Sequence, residues 1–103
     1  MFHQDTSRIA HAERAKPRRL ERATHVATAE QTGRTIVLDL RRGRYFGLDS
    51  VGTRVWELLA TPTAVEELVS RLSLEYDVSR SQLEGDVDAF VRKLIASGLA
   101  RWT

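Results

Sequence analysis

The sequence contains no cysteine among its 103 residues. A chain without thiols has no disulfide, no thiolate nucleophile and no cysteine-ligated metal. Long apolar runs are also missing, since no stretch approaches the roughly 20 residues that a membrane-spanning helix needs. Residues 1–5 lack the basic-then-apolar order of a secretion signal. These absences predict a cytoplasmic protein that has no membrane partner.

The sequence also lacks a recognisable catalytic constellation. Its three histidines are scattered and form no i, i+4 pair that would suit a metal, and its glycines never form a GxGxxG or GxxxxGK phosphate loop. The acidic residues Glu84, Asp86 and Asp88 have no apolar flank of the kind that tunes a catalytic carboxylate. We therefore expect a protein that is not an enzyme and that needs no cofactor and no metal.

The positive charge is concentrated at the N-terminus. The formal net charge is +2 and the sequence pI is about 9.5, but residues 1–23 hold six basic and three acidic residues. The remaining residues, 24–103, carry a net charge of −1. This distribution predicts a basic, flexible arm over 1–23 and a nearly neutral folded domain over 24–103.

Three strands are predicted in the first half of the domain. Residues 24–29 are rich in β-branched side chains and end at a Gln-Thr-Gly turn signal, and residues 34–40 alternate, with Ile36, Leu38 and Leu40 on one face. Gly43 suits a tight hairpin turn with positive φ before a third strand over 44–48. The pattern predicts a three-stranded antiparallel meander whose third strand is an edge.

Three helices are predicted in the second half. Asp49 or Ser50 caps the first helix, which ends at Thr61-Pro62. Capping boxes starting at Thr63 and Ser79 open the second and third helices, and Gly98 suits the C-terminal cap of the third. Strands followed by helices indicate an α+β domain with a winged-helix-like arrangement, in which the helices cover one face of a small sheet.

The order and spacing of features over residues 35–99 resemble the PqqD-like family. The likeness begins with VLDL at 37–40, GRYFGLD at 43–49, VG at 51–52 and VWELL at 55–59. It continues through Leu68, Leu72, the segment 76–78, Asp86-Val87, Phe90, Leu94 and Gly98-Leu99. The chain is most similar to the stand-alone recognition proteins of lasso-peptide biosynthesis, and the likeness does not cover the arm before Thr24.

The resemblance implies a RiPP recognition element, a non-catalytic peptide chaperone. In that family the leader region of a ribosomal precursor peptide lies between the third strand and the third helix and adds a strand to the sheet. The domain hands the peptide to a modifying enzyme, which in split lasso systems is a separate cysteine-protease-type leader peptidase. The cyclase is a second candidate partner. The absence of cysteine fits the recognition half of such a system and not the protease half.

The resemblance places peptide-binding residues on the third strand and the third helix. They are Arg44, Tyr45, Phe46, Gly47, Leu48, Leu83, Asp86, Val87, Phe90 and Leu94. Gly47 would let the incoming peptide approach closely, although a bulge explains a strand glycine almost as well.

The side chains divide by their expected roles. Tyr45 and Phe46 point to opposite faces, so at least one belongs to the core. Leu83, Val87 and Leu94 would form the floor of the groove, and Phe90 would serve both core and groove. Asp86 is best placed to meet a basic leader residue.

Other classes of function stay open on the sequence alone. A winged-helix DNA-binding protein has the same element order, but its recognition helix should be basic. The second and third helices here carry as many acidic as basic residues or more, so no nucleic acid is expected. A regulatory subunit that binds only a protein partner is a further alternative. An unpaired edge strand would also permit a homodimer.

Overall fold

The computed structural model describes residues 18–103. In chain order the elements are β1 (Arg19–Arg22), β2 (Val26–Gln31), β3 (Arg34–Asp39), β4 (Arg44–Gly47), α1 (Ser50–Leu58), β5 (Thr63–Ala64), α2 (Val65–Glu75), α3 (Arg80–Ala96) and β6 (Ala100–Trp102). The predicted α+β fold, an antiparallel three-stranded sheet followed by three helices, is confirmed. A second small sheet adds to it.

The predicted meander is the sheet β2-β3-β4. Its first hairpin turns at Thr32 and Gly33, whose φ angles are 54° and 78°, as a two-residue turn with matching twist requires. Gly43 has φ 70° in the turn before β4, which confirms the predicted use of that glycine. Within the described residues β4 pairs only with β3, so it is an edge strand as expected.

The alternating apolar side chains Ile36, Leu38 and Leu40 do not lie on the buried face of β3. Val37 and Asp39 are fully buried, whereas Ile36 and Leu38 are half buried and Leu40 is exposed. The helices cover only the face that carries Val37 and Asp39. Ile36 and Leu38 instead lie on an outer face with Tyr45, which pairs directly with Leu38. Asp39 takes an inner position because the turn that follows it needs its carboxylate as an acceptor.

The second sheet corrects the boundary predicted at residue 23. Its strand order is β5-β1-β6, so residues 19–22 are a central strand and not part of an arm. Leu20 pairs with Thr63 and Trp102 and is fully buried. Burial of this leucine and the hydrogen bonds to two neighbouring strands outweigh the charge of the segment. The rest of the predicted arm, residues 1–17, lies outside the described residues.

Two arginine side chains, Arg18 just before β1 and Arg22 within it, stack their guanidinium groups on tryptophan rings. The Arg18 guanidinium lies 4.6 Å from the centre of the Trp102 ring, and that of Arg22 lies 4.5 Å from the centre of the Trp56 ring. Arg22 also donates to the carbonyl of Trp56. Stacked guanidinium groups of this kind cover aromatic surface while their edges stay hydrogen-bonded. The basic composition of this segment is therefore compatible with a folded strand.

The helix starts follow the predicted caps in two cases out of three. Asp49 caps α1, its carboxylate accepting a 2.7 Å hydrogen bond from the Gly52 amide. Ser79 caps α3 by accepting from the Gln82 amide. The capping box predicted at Thr63 is wrong, because Thr63 lies in β5 and its hydroxyl donates to the carbonyls of Leu58 and Thr61. Gly98, with φ 73°, follows the end of α3 as predicted.

One apolar core joins the three helices to the inner face of the first sheet. Trp56 is fully buried, and its indole Nε1 donates to Thr28 Oγ1 on β2 at 2.8 Å. Other fully buried members include Leu20, Val37, Val55, Leu68, Leu72, Leu83 and Val87. Burying this indole with its donor satisfied fixes α1 across the sheet.

Candidate peptide-binding site

A groove runs between the edge strand β4 and helix α3. It is lined by Phe46, Gly47, Leu48, Asp49, Phe90, Lys93, Leu94, Ser97 and Leu99. Its volume is about 190 Å³, below the roughly 300–1,000 Å³ of small-molecule pockets. A groove of this size beside a sheet edge is suited to side chains of an extended peptide rather than to an enclosed metabolite.

The two elements run in opposite directions along the groove. At one end the Arg44 guanidinium reaches the Ser97 carbonyl at 3.4 Å. At the other end Gly52 lies so close to Phe90 that a Cβ there would be 3.2 Å from the ring. Phe46 projects from the inner face of β4, opposite Val37. Phe46 and Phe90 therefore form the aromatic walls of one continuous channel.

The free edge of β4 exposes the main chain of Tyr45 and Gly47. The Leu48 amide donates to the Thr35 carbonyl of β3 at 3.0 Å. In an antiparallel pair the amide and carbonyl groups of successive residues point alternately toward and away from the partner strand. Tyr45 and Gly47, each an odd number of residues from Leu48, thus direct these groups away from β3. They offer two hydrogen-bonding positions next to the groove.

A buried carboxylate holds the turn that precedes β4, at the Arg44 end of the groove. Asp39 is 1% exposed, and its Oδ1 accepts hydrogen bonds of 3.0 Å from the amides of Arg41 and Arg42. These amides, that of Arg42 first, hold the pKa of Asp39 below its ordinary value against the opposing effect of burial, with help from the nearby charge of His25. Arg44 lies 3.6 Å from Oδ2, so the same carboxylate orients this side chain.

Eight of the ten predicted site residues divide into three groups. Five of them line the groove: Phe46, Gly47, Leu48, Phe90 and Leu94. Leu83 and Val87 are fully buried in the core and do not line the groove. Tyr45 is 71% exposed and lies on the outer face with Leu38, so its side chain points away from α3. The prediction that Tyr45 and Phe46 point to opposite faces of the strand agrees with this geometry.

Two charged residues of the predicted set lie at the ends of the groove. Arg44 is at the Ser97 end, where its guanidinium also lies 5.4 Å from the centre of the Phe46 ring. Asp86 is exposed and does not line the groove itself. It precedes Phe90 by four residues on α3 and therefore lies on the same face of that helix, one turn nearer its N-terminus.

Gly47 has room for a side chain within the chain. A Cβ there would lie 3.7 Å from Arg34 Nη2 and 3.8 Å from Ile36 Cδ1, which are ordinary contacts on the outer face. The close approach predicted at Gly47 therefore concerns the incoming peptide alone. Peptide binding by a Gly47→Val variant tests that prediction, and unchanged affinity would contradict it.

Four groove residues were missed by the sequence reasoning. They are Asp49, Lys93, Ser97 and Leu99. Helical spacing carried a signal for two of them, because Lys93 and Ser97 follow Phe90 by three and seven residues and so share its face. The apolar stripe drew attention to the buried face of α3 instead. The groove lies at the border between that stripe and the exposed face.

Metal-binding clusters and membrane-spanning helices are absent from the part of the chain that the structure describes. Residues 18–103 hold no group of three or more His, Asp or Glu side chains arranged to bind a metal ion. No helix in the same range combines the length and apolar character needed to cross a bilayer.

The part of the chain that forms the groove is similar to known proteins. The family model for coenzyme PQQ synthesis protein D (PqqD) matches residues 34–100, which include both sides of the groove. The chain is similar to the solved structure of TbiB1 in complex with the TbiA(beta) leader peptide, with 36% identity, a TM-score of 0.73, and coverage of 79% of this chain and 94% of that chain. It shares the fold of lasso peptide synthetase B1 complexed with the leader peptide, with 24% identity, a TM-score of 0.70 and coverage of 80% and 96%. No curated protein sequence matches the chain significantly.

Proposed function

Because this chain belongs to the PqqD family, we propose that it is a RiPP recognition element that binds the leader region of a ribosomally made precursor peptide. The protein is a non-catalytic peptide chaperone of the cytoplasm, and its precursor is that of a lasso peptide. The likeness to TbiB1, which was solved with a leader peptide, supports the ligand class.

The leader binds by adding a strand to β4 beside α3. The observation that carries this mechanism is the outward-facing main chain of Tyr45 and Gly47 at the lip of the groove. Strand addition takes its affinity from main-chain hydrogen bonds and its specificity from pockets that receive alternate side chains. Phe46, Phe90 and Leu94 supply such a pocket on the side of the new strand that faces the helix.

The bound leader is presented to a second protein. We propose a separate cysteine-protease-type leader peptidase as that partner, with the cyclase as a further candidate. The zero cysteine count means that this chain supplies no thiolate for cleavage. Holding the leader as an edge strand leaves the following core segment of the precursor outside the groove, accessible to the partner enzyme.

A fluorescence-polarisation titration tests peptide binding. The probes are the labelled leader of the nearest precursor gene and the TbiA(beta) leader, with a random DNA duplex in parallel at several salt concentrations. We expect saturable peptide binding that persists at moderate salt and weak DNA binding. Steeply salt-dependent DNA binding without a peptide signal would instead identify a winged-helix DNA-binding protein. Binding of neither probe would favour a regulatory subunit that contacts only a protein partner.

A pair of variants at one residue separates main-chain from side-chain recognition. Tyr45→Pro removes an outward amide without removing a β3–β4 hydrogen bond, and proline is tolerated at such positions of edge strands. Tyr45→Ala removes only a side chain on the outer face. We expect leader affinity to fall about tenfold or more in Tyr45→Pro and to stay near the parent value in Tyr45→Ala. Equal affinities of the two variants would overturn strand addition.

A further inference from the structure

Lys93, toward one end of the groove, is a basic side chain without an acidic partner among residues 18–103. Lys93 lies in the last turn of α3 and lines the groove. Within residues 18–103 no carboxylate oxygen lies within 4.0 Å of its ammonium group, whereas neighbouring Arg92 is paired with Asp88 at 2.8 Å. Arg44 lies at the same end, beside Ser97. Because the Arg44 guanidinium already lies 3.6 Å from the Asp39 carboxylate, Lys93 is the basic side chain at this end that can pair with an acidic residue of an incoming peptide.

The opposite end carries negative charge. Asp86 is exposed and shares the Phe90 face of α3, and no basic side chain of the described residues lies within 4.0 Å of its carboxylate. Asp86 precedes Lys93 by seven residues, which places the two about 10 Å apart along the helix axis. Phe90 lies between them and contributes the apolar centre of the groove.

This spacing matches alternate positions of an extended strand. Residues i and i+4 of a strand share a face and are about 13 Å apart, with residue i+2 between them. A side chain at i+2 would enter the apolar centre, and those at i and i+4 would reach the two charged positions. Flexible side chains can make up the difference of a few ångströms between the helix spacing and the strand spacing. The charged residues of the peptide can therefore reach Asp86 and Lys93.

The direction of the peptide follows from the direction of β4. Arg44 begins β4 at the Lys93 end of the groove, and β4 runs toward the Asp86 end. A strand added antiparallel to β4, the better-populated arrangement, runs from the Asp86 end to the Lys93 end. Its basic residue would come first and its acidic residue last.

We propose, resting on the proposed function, that the groove selects leader peptides by charge at both ends. The recognised segment reads basic, any, apolar, any, acidic from N- to C-terminus, with the basic side chain at Asp86 and the acidic one at Lys93. Asp86 and Lys93 are thus specificity-determining residues that fix the direction of the bound strand. The apolar residue between them supplies affinity in either direction.

Designed peptides test this pattern. One labelled peptide has a Thr/Val frame with a central leucine, a lysine two positions before it and a glutamate two positions after it. A second exchanges the lysine and the glutamate, and a third has serine at both positions. We expect the parent protein to bind the first about threefold to tenfold more tightly than the second, with the third between them. The preference should weaken as salt rises.

Exchanging the two protein charges should invert the preference. In the double variant Asp86→Lys/Lys93→Glu the second peptide should bind best. The matched control is Asp88→Lys/Arg92→Glu, which likewise exchanges one acidic and one basic position without changing the net charge, lies on the opposite face of α3 and keeps an ion pair there. This control should retain the parent order. Both positions of the test variant are exposed, and circular dichroism checks that each variant is folded.

The outcomes separate this inference from the proposed function. If the three peptides bind equally, or the exchange variant keeps the parent order, charge selection is overturned while strand addition stands. If a natural leader binds but no designed peptide does, the five-residue pattern is wrong. If neither natural leaders nor designed peptides bind, the proposed function itself fails.

Discussion

Gly52 of α1 lies against the ring of Phe90 on α3. A Cβ at Gly52 would lie 3.2 Å from Phe90 Cε1 and 3.3 Å from Cζ, and 3.1 Å from the capping oxygen of Asp49. This contact lets α1 and α3 approach each other at the acidic end of the groove. The Phe90 ring, one wall of the groove, can therefore take its position because Gly52 has no side chain.

Gly52→Ala should therefore lower leader affinity while the protein stays folded. The added methyl group displaces the Phe90 ring, and the open groove is the space into which the ring can turn. Helix propensity favours alanine over glycine by about 1 kcal/mol, which offsets part of an overpacking cost of about 1–3 kcal/mol. We expect a net loss of less than about 2 kcal/mol by urea unfolding and an affinity loss of about tenfold.

Gly85→Ala is the matched control for that change. Gly85 is also helical, but no atom lies within 4 Å of the position its Cβ would take. Only the propensity gain applies, so the free energy of unfolding should rise by about 0.5–1 kcal/mol with unchanged leader affinity. Equal affinities for the two alanine variants would show that Phe90 does not shape the groove.

Leu20→Ala should destabilise the protein strongly. Leu20 is fully buried in the core although its neighbours in sequence are charged. Removing a buried leucine side chain costs about 2–5 kcal/mol. Leu74→Ala makes the same change at a position that is 86% exposed and should shift the free energy of unfolding by less than about 0.5 kcal/mol. Similar urea midpoints for the two variants would contradict the placement of β1 in the core.

The first sheet and the helices could be predicted because their signals are local. Strand alternation, the turn glycine Gly43 and the caps at Asp49 and Ser79 each depend on residues within a few positions. The second sheet has no such signal, since β5 has two residues and β6 has three. Burial of Leu20 depends on partners at Thr63 and Trp102, far away in the sequence.

The candidate site was predicted in outline and not in detail, for a related reason. The family resemblance placed the site between the third strand and the third helix, and Phe46, Phe90 and Leu94 line the groove there. Lys93 is a polar residue beside the stripe, so periodicity gave it no weight. Inner and outer faces of a strand are also equivalent until the helices are placed, so the alternation of Ile36 and Leu38 did not show which face of β3 is buried.

Asp39→Asn should remove a pH-dependent part of the stability. The folded-state pKa of Asp39 is lowered, first by the Arg42 amide and further by the Arg41 amide and the charges of His25 and Arg42. A carboxylate with a lowered pKa stabilises the fold above its unfolded pKa of about 3.9 and loses that contribution as pH falls through the folded value. Thermal melts should show the largest difference between parent and variant at neutral pH and a shrinking difference below about pH 4. A difference that stays constant down to that range would contradict the role of the ionised carboxylate.

Phe46→Ala should reduce leader affinity about tenfold or more. The Phe46 ring faces α3 from the inner side of β4 and lines the groove with Phe90, so its loss removes apolar contact with the side chain of the new strand that enters there. Phe46→Leu keeps an apolar side chain and should retain most of the affinity. The titrations should be carried out well below the melting temperatures of both variants, because Phe46 also packs against the core. If Phe46→Ala binds the leader as tightly as the parent protein does, the groove beside β4 is not where the leader side chain lies.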